Sequence, residues 1–172
     1  DKLLGAFRTL RQKHTNLKLL VAGATPDNTD YLGTLHEELS EEEMASIVIG
    51  DRFLDPAEIS LCLRAGDIAV LPYREALTSG SAILALSFGC PVILPDTVAL
   101  RHLTHEGKTG WLFNPDNEKQ TLEAVIAKAL SESRNPVTRA RRRQAAETFA
   151  QSQAWQDFNA VVTAALNAPR SG

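Results

Sequence analysis

The sequence predicts an α/β domain, a Rossmann-like parallel sheet flanked by helices, with a helical extension at the C-terminal end. Three observations carry that expectation. Short apolar runs recur as far as Phe113, each closed by turn-forming residues, the pattern of buried parallel strands. Stretches of helical periodicity separate them, which implies βαβ units with right-handed crossovers. From Asn117 onward the pattern is helical throughout.

Each element has a local reason. A first helix runs through about Lys13, with Leu3, Leu4, Ala6, Phe7 and Leu10 at helical spacing, and breaks at His14–Asn16. Leu17–Gly23 is a short apolar run ending in glycine and reads as a buried strand. A turn at Pro26–Asn28 precedes a helix from about Thr29 to Leu39, and the acidic stretch Glu37–Glu43 reads as a solvated helix end and loop. The second strand is Ser46–Ile49. Asp55-Pro56 then opens a helix as N-cap and first-turn proline, and Ala65-Gly66 closes it.

The third strand is Ile68–Leu71, and a polar loop leads to the helix Gly80–Phe88, closed by Gly89. Pro91–Leu94 is the fourth strand. A short helix near Val98–Leu103, a turn at His105–Gly110 and a fifth strand at Trp111–Phe113 follow. Three helices complete the chain: Glu118–Glu132, Val137–Phe149 and Ser152–Leu166. The domain assignment is a single unit, residues 1–133 as α/β core and 134–172 as C-terminal helices.

Composition excludes several classes. The 172 residues carry 18 Lys and Arg against 21 Asp and Glu, a net charge of −3, and 44% are hydrophobic. That is the make-up of a globular domain rather than a disordered chain, and it lacks the basic excess of a dedicated nucleic-acid binder. No apolar run approaches the ~20 residues of a membrane span. Cys62 and Cys90 stand apart with no C-x-x-C pairing, so a reducing compartment is the expectation. The one methionine is Met44, and the chain opens directly into helical periodicity. It reads as a piece of a longer polypeptide.

Ligands of open parallel sheets lie beyond the carboxyl ends of the strands. The candidate loops are Gly23–Asp27, Gly50–Asp55 and Pro72–Ser81. The third is the most informative, because Thr78-Ser79-Gly80-Ser81 sets two hydroxyls, a glycine and a further hydroxyl where an apolar helix begins. Free N–H groups there favour an anion, and glycine lets a phosphate approach. Arg74 on the same loop could add a charge-assisted contact. The same residues also read as a plain helix cap. Neither G-x-G-x-x-G nor the Walker pattern follows any strand, so nicotinamide, flavin and P-loop chemistry lack support. His102 and His105 have no carboxylate or thiolate company and do not read as metal ligands. Cys62 reads as a small core residue. Arg139, Arg142 and Arg143 share a helical face that reads as solvated, with anionic lipid headgroups as the sharper alternative.

Taken in order, these segments resemble the C-terminal, donor-binding half of GT-B glycosyltransferases, and specifically glycosyltransferase family 4. Leu3-Leu4-Gly5-Ala6-Phe7 looks like that family's first C-domain helix. Leu19-Leu20-Val21-Ala22-Gly23 is similar to its "L-x-V-x-G", and Ala65–Pro72 to its "A-D-v-x-v-x-P". Gly89-Cys90-Pro91-Val92-Ile93 is similar to "G-x-P-V-I", Glu106–Phe113 to "x-G-x-T-G-x-L-v", and Phe149–Trp155 to "F-s-W". The resemblance implies a donor diphosphate at Thr78, Ser79, Gly80 and Ser81 with Arg74, a nucleobase near Phe53, Leu54 and Asp55, and clearance for the nucleotide at Gly23.

This sequence departs from the family's E-x7-E. Counted back from Gly89, the two glutamates fall on Ala76 and Leu84; Glu75 stands one residue from the first and nothing replaces the second. The segment Pro72–Gly80 is similar instead to a subset with "P-Y-R…S-G". The family's phosphate-contacting Arg and Lys, and its acceptor-binding N-terminal domain, would precede Asp1.

The resemblance thus implies the donor half of a retaining glycosyltransferase that uses a nucleotide-diphosphate sugar, needs no metal and no other cofactor, and acts on a glycan or glycolipid. Its partners would be the nucleotide sugar and its own N-terminal domain, with no nucleic acid. The parent protein would be cytoplasmic, in peripheral contact with the inner face of the membrane. Catalytic residues are left unassigned, with Arg74 and Glu75 as candidates. The alternatives are a non-catalytic sugar-nucleotide-binding module and a sugar-nucleotide epimerase.

Overall fold

A computed structural model describes residues 2–23, 39–50, 52–73, 79–114 and 116–167, with side chains as far as 152 and Glu106 by its backbone alone. Helix α1 (Lys2–Arg11) leads to strand β1 (Leu19–Ala22). A one-turn helix α2 (Glu41–Met44), strand β2 (Ile47–Gly50), helix α3 (Pro56–Ala65) and strand β3 (Ala69–Val70) follow. Then come helix α4 (Gly80–Ser87), strand β4 (Val92–Pro95), a 3₁₀ segment Arg101–Gly107 and strand β5 (Gly110–Phe113). A 3₁₀ turn Glu118–Gln120, helix α5 (Leu122–Ser133) and helix α6 (Pro136–Asn167) complete the order. The expected helix from Thr29 lies outside the described residues.

The strands are parallel, as the helical crossovers require, but the ladder comes in two parts. β1 pairs with β2 from Leu19↔Ile47 to Ala22↔Gly50. β3, β4 and β5 form a separate three-stranded sheet in that order. β4 is buried at all four positions. Val92 and Leu94 join a core built with α4, α6 and the 3₁₀ segment, while Ile93 joins the core of α1, β5 and α5 on the other face. The apolar stripe of α1 is split between two cores. Leu4 and Phe7 pack with Leu39 and Ile47, whereas Ala6 and Leu10 pack with Ile93, Trp111 and α5.

Two expectations are corrected. Val137–Phe149 and Ser152–Leu166 are not separate helices but one, α6, because neither glycine nor proline interrupts the chain between Pro136 and Asn167. The arginines of its first turns are not a solvated face. Arg142 lies 4.2 Å over the Trp111 ring and donates to Glu132 at 2.8 Å and to the Gly107 carbonyl. Trp111 Nε1–H donates to the same Glu132 carboxylate at 3.0 Å. Arg143 donates to the carbonyls of Gly66 and Arg64 at 3.0 and 3.1 Å, closing the C-terminal end of α3, and Arg139 pairs with Asp67. The face is a clasp that seats α6 on the body of the domain.

Candidate functional site at the carboxyl ends of the strands

Of the third loop the structure describes Pro72, Tyr73 and the start of α4 from Ser79. Ser79 is buried and extended, and its Oγ accepts the Ala82 N–H at 3.0 Å. The Tyr73 hydroxyl lies 2.8 Å from the same oxygen, so the cap is itself held by a second side chain. This fixes the start of α4 and commits the Ser79 oxygen to the cap. What faces outward are the N–H groups of Gly80 and Ser81, which have no intrahelical acceptor, on two exposed residues. A Cβ at Gly80 would meet nothing within 4 Å, and its φ is not in the left-handed region. The fold therefore does not require glycine here, whereas an approaching phosphate would. Arg74, Glu75 and Thr78 lie outside the described residues, as does Ala76.

The far end of α4 is closed by a glycine. Cys90 N–H donates to the Ala85 carbonyl and Gly89 N–H to Leu86, the paired bonds that close a helix with a left-handed residue. Gly89 has φ +69°, and a Cβ there would sit 2.7 Å from the Glu147 carboxylate of α6. Ala82, Ala85, Ala146 and Ala150 let α4 and α6 approach closely.

At the end of β2, Asp55 caps α3. Its carboxylate accepts the Glu58 N–H at 2.8 Å and the Glu58 carboxylate accepts the Asp55 N–H at 3.0 Å, a reciprocal capping box. The Arg52 guanidinium grips Glu58 through both nitrogens, and these hydrogen bonds, with that from the Asp55 backbone, hold the Glu58 carboxyl at about 2. Phe53 is 90% exposed between these anchored residues, and Leu54 is half-buried beside it. At the end of β1, Gly23 has φ +135° with open space around it, a backbone that side chains rarely adopt. All three loops thus end parallel strands on the carboxyl side.

Among the described residues, no group of three or more His, Cys, Asp and Glu side chains lies together as a metal ion would require. His102 and His105 lie in the 3₁₀ segment that leads to the amino end of β5; the His105 ring rests on Phe149, 5.2 Å between centroids. Burial pushes the Cys90 thiol up to about 11, so it is no thiolate nucleophile. No described helix is long and apolar enough to cross a membrane. The sequence reading quotes Tyr73 within its P-Y-R…S-G segment but gives it no role. Its signal was an aromatic hydroxyl six residues before a capping serine.

A parallel sheet between helices, with capped helices opening at its carboxyl edge, defines a Rossmann-like α/β domain. The structure is similar to sucrose-phosphate synthase from Thermosynechococcus elongatus, with a TM-score of 0.61 and 19% identity over 85% of this chain and 38% of that one. Residues 1–132 match the family model of glycosyl transferases group 1, and the chain belongs to that family, in its GT-B fold. Two relatives are named GDP-mannose:glycolipid 4-beta-D-mannosyltransferase, one from Xanthomonas campestris pv. campestris strain ATCC 33913 and one from Xanthomonas campestris pv. campestris. Each is 26% identical over 121 residues, 69% of this chain. The chain spans 32% of their length, so it corresponds to about a third of such an enzyme.

Proposed function

We propose that this domain is the donor-binding half of a glycosyltransferase that takes a nucleotide-diphosphate sugar and transfers the sugar to a glycan or glycolipid hydroxyl without a metal ion. The observation that carries the reading is the start of α4, where the Ser79 cap and Tyr73 hold two outward N–H groups beside a glycine the fold does not need. Such a terminus favours the diphosphate and favours it more as the glycosidic bond breaks and charge moves onto the leaving group. Phe53 offers an exposed ring for the base, and Gly23 keeps the neighbouring loop clear. Arg74 and Glu75 complete the set as candidates for contacts to the phosphate and the sugar.

The mannosyltransferase relatives suggest GDP-mannose as the first donor to try. Retention of the anomeric configuration is part of the proposal. The β linkage in the relatives' name is inversion from an α-linked donor such as GDP-mannose, so the anomeric configuration of the first product, read from its one-bond C1–H1 coupling, is the deciding measurement; an inverted product removes retention and leaves donor binding intact.

Leu84, 41% exposed on α4, favours a second reading. It occupies the position where the family resemblance expects the second glutamate, and an exposed leucine is suited to packing rather than to ribose hydroxyls. A binding module that holds a sugar nucleotide without transferring it would have this feature. Transfer by the full-length parent, or its absence with binding intact, separates the two.

The test of the site is Gly80→Pro. Gly80 is the first residue of α4, where proline costs no intrahelical bond, and Ser79 before it is already extended (φ −139°, ψ 93°). The variant removes one anion-facing donor. A charge-assisted hydrogen bond contributes roughly 1.5–3 kcal/mol, so calorimetric titration should show nucleoside-diphosphate affinity falling about ten- to a hundredfold. A folded variant with unchanged affinity moves the phosphate elsewhere. Binding that collapses in EDTA and returns with Mn²⁺ refutes the metal-free reading.

A further inference from the structure

The stretch between β2 and α3 is braced more heavily than a helix cap requires. Glu58 completes the capping box by accepting the Asp55 N–H at 3.0 Å. The same carboxylate also takes the Arg52 guanidinium through both terminal nitrogens, at 2.8 Å on one oxygen. Arg52 Nη1 donates in addition to the Phe53 carbonyl at 3.2 Å. Residues 52 and 55 are thus fastened to one side chain, and the two residues between them are held from both ends. Stability alone does not account for the brace. The Arg52 side chain is 59% exposed, and an ion pair in water contributes little to a fold.

What the brace holds is an aromatic ring in water. Phe53 is 90% exposed, more than any other large apolar side chain among the described residues. Its loop leaves β2 beside the open Gly23, whose N–H donates to the Gly50 carbonyl at 3.1 Å. A ring on a loose loop loses freedom when a ligand settles on it. A ring on a braced loop has surrendered most of that freedom already, so more of the contact appears as affinity. The guanidinium is itself occupied by Glu58 and the Phe53 carbonyl, so its effect passes through the loop.

We propose that Arg52 is a positioning residue for the nucleobase: clamped to Glu58, it keeps the Phe53 ring as a preformed face on which the base of the nucleotide stacks. This inference rests on the donor-binding reading above and adds to it a residue that touches no part of the donor. Base-on-ring stacking changes affinity roughly five- to a hundredfold per base. It is indifferent to the identity of the base, because every base has a π-face. Arg52 therefore governs how tightly a nucleoside is held, not which one.

The test compares GDP with inorganic pyrophosphate, which has the diphosphate and no base, both titrated calorimetrically into the protein. Phe53→Ala should weaken GDP about five- to a hundredfold and leave pyrophosphate unchanged. Arg52→Gln should weaken GDP by part of that, about three- to tenfold, again with pyrophosphate unchanged and little shift in melting temperature. Arg52→Lys should not restore it, since an ammonium cannot span both Glu58 oxygens as a guanidinium fork does. The double variant should bind GDP no more weakly than Phe53→Ala alone, because Arg52 then has nothing left to position. Glu58→Gln keeps the capping box but gives the guanidinium a neutral partner. It should repeat the Arg52→Gln pattern, and it serves if Arg52→Gln does not fold. Losses that add in the double variant overturn the proposal. So does a fall in pyrophosphate affinity with Arg52→Gln that Arg52→Lys restores, since Arg52 would then be a charge for the phosphates. GDP that binds no tighter than pyrophosphate, or that Phe53→Ala leaves unmoved, overturns it too and leaves the diphosphate site standing. A protein that binds neither probe fails the donor-binding reading and this inference together.

Discussion

The sheet β3–β4–β5 and the sheet β1–β2 are made of strands of the same kind, short, apolar and parallel, yet they are differently finished. β4 is buried at every position, sandwiched between one core with α4 and α6 and another with α1 and α5. β1 alternates between half-buried and exposed, and among the described residues α1 and Leu39 cover one of its faces. A continuous apolar sequence is therefore no measure of how well a strand is enclosed. Enclosure depends on the layers the rest of the polypeptide supplies.

The comparison is broken most directly by truncating matched side chains. Leu94→Ala in β4 leaves a cavity between packed helices and should cost about 2–5 kcal/mol in chemical denaturation. Val48→Ala in β2 removes a side chain that is mostly in water and should stay within about 0.5 kcal/mol. Equal costs would mean that the two sheets are enclosed alike.

Glycines sharpen it. A Cβ at Gly110 in β5 would lie 2.2 Å from the Val92 carbonyl oxygen, a backbone atom that cannot step aside. Gly110→Ala should destabilise by about 1–3 kcal/mol through forced separation of β4 and β5. At Gly50 in β2 the nearest atom to a Cβ is 3.9 Å away, so Gly50→Ala should be neutral or slightly stabilising by thermal melting.

The smallest effect concerns pH. Hydrogen bonds from the Arg8 side chain, then from the Ser40 backbone, hold Glu43 down at about 2 from an ordinary 4.5, and this pair ties α1 to α2 beside β2. A depressed carboxyl stabilises the fold above its unfolded value and loses that contribution as pH falls through the folded one. Melting temperature should thus drop between pH 4.5 and 2 in the parent chain and drop less in Glu43→Gln. A drop of the same size in both would assign it to other carboxylates.

Much of the fold was legible from local chemistry. Asp55 with Pro56, Ser79 before an apolar run, and Gly89 before Pro91 mark helix ends by hydrogen bonds that span three or four residues, and the structure forms each as the sequence implies. Relations across the chain were not legible. The acceptors of Arg143 lie 77 and 79 residues away, and Glu132 reaches Arg142 only because α5 and α6 meet. Read alone, such arginines look like a wet helix face. The split ladder is of the same kind, since pairing is a property of neighbours and no strand's sequence states what lies beside it. Of the candidate site, the Ser79 cap was legible and the support from Tyr73 was not.

The closure at Gly89 has a thermodynamic consequence for the anion proposed at the other end of α4. With its C-terminal turn locked and its alanine face against α6, the helix has almost no freedom left to surrender on binding. Ordering costs, which often absorb a large part of an interaction, are then small at this helix start. Differences in affinity between anions would report their own charge and shape. Loosening the Arg142–Trp111–Glu132 clasp, which touches no ligand, would surface in a titration as an entropy penalty rather than as a lost contact.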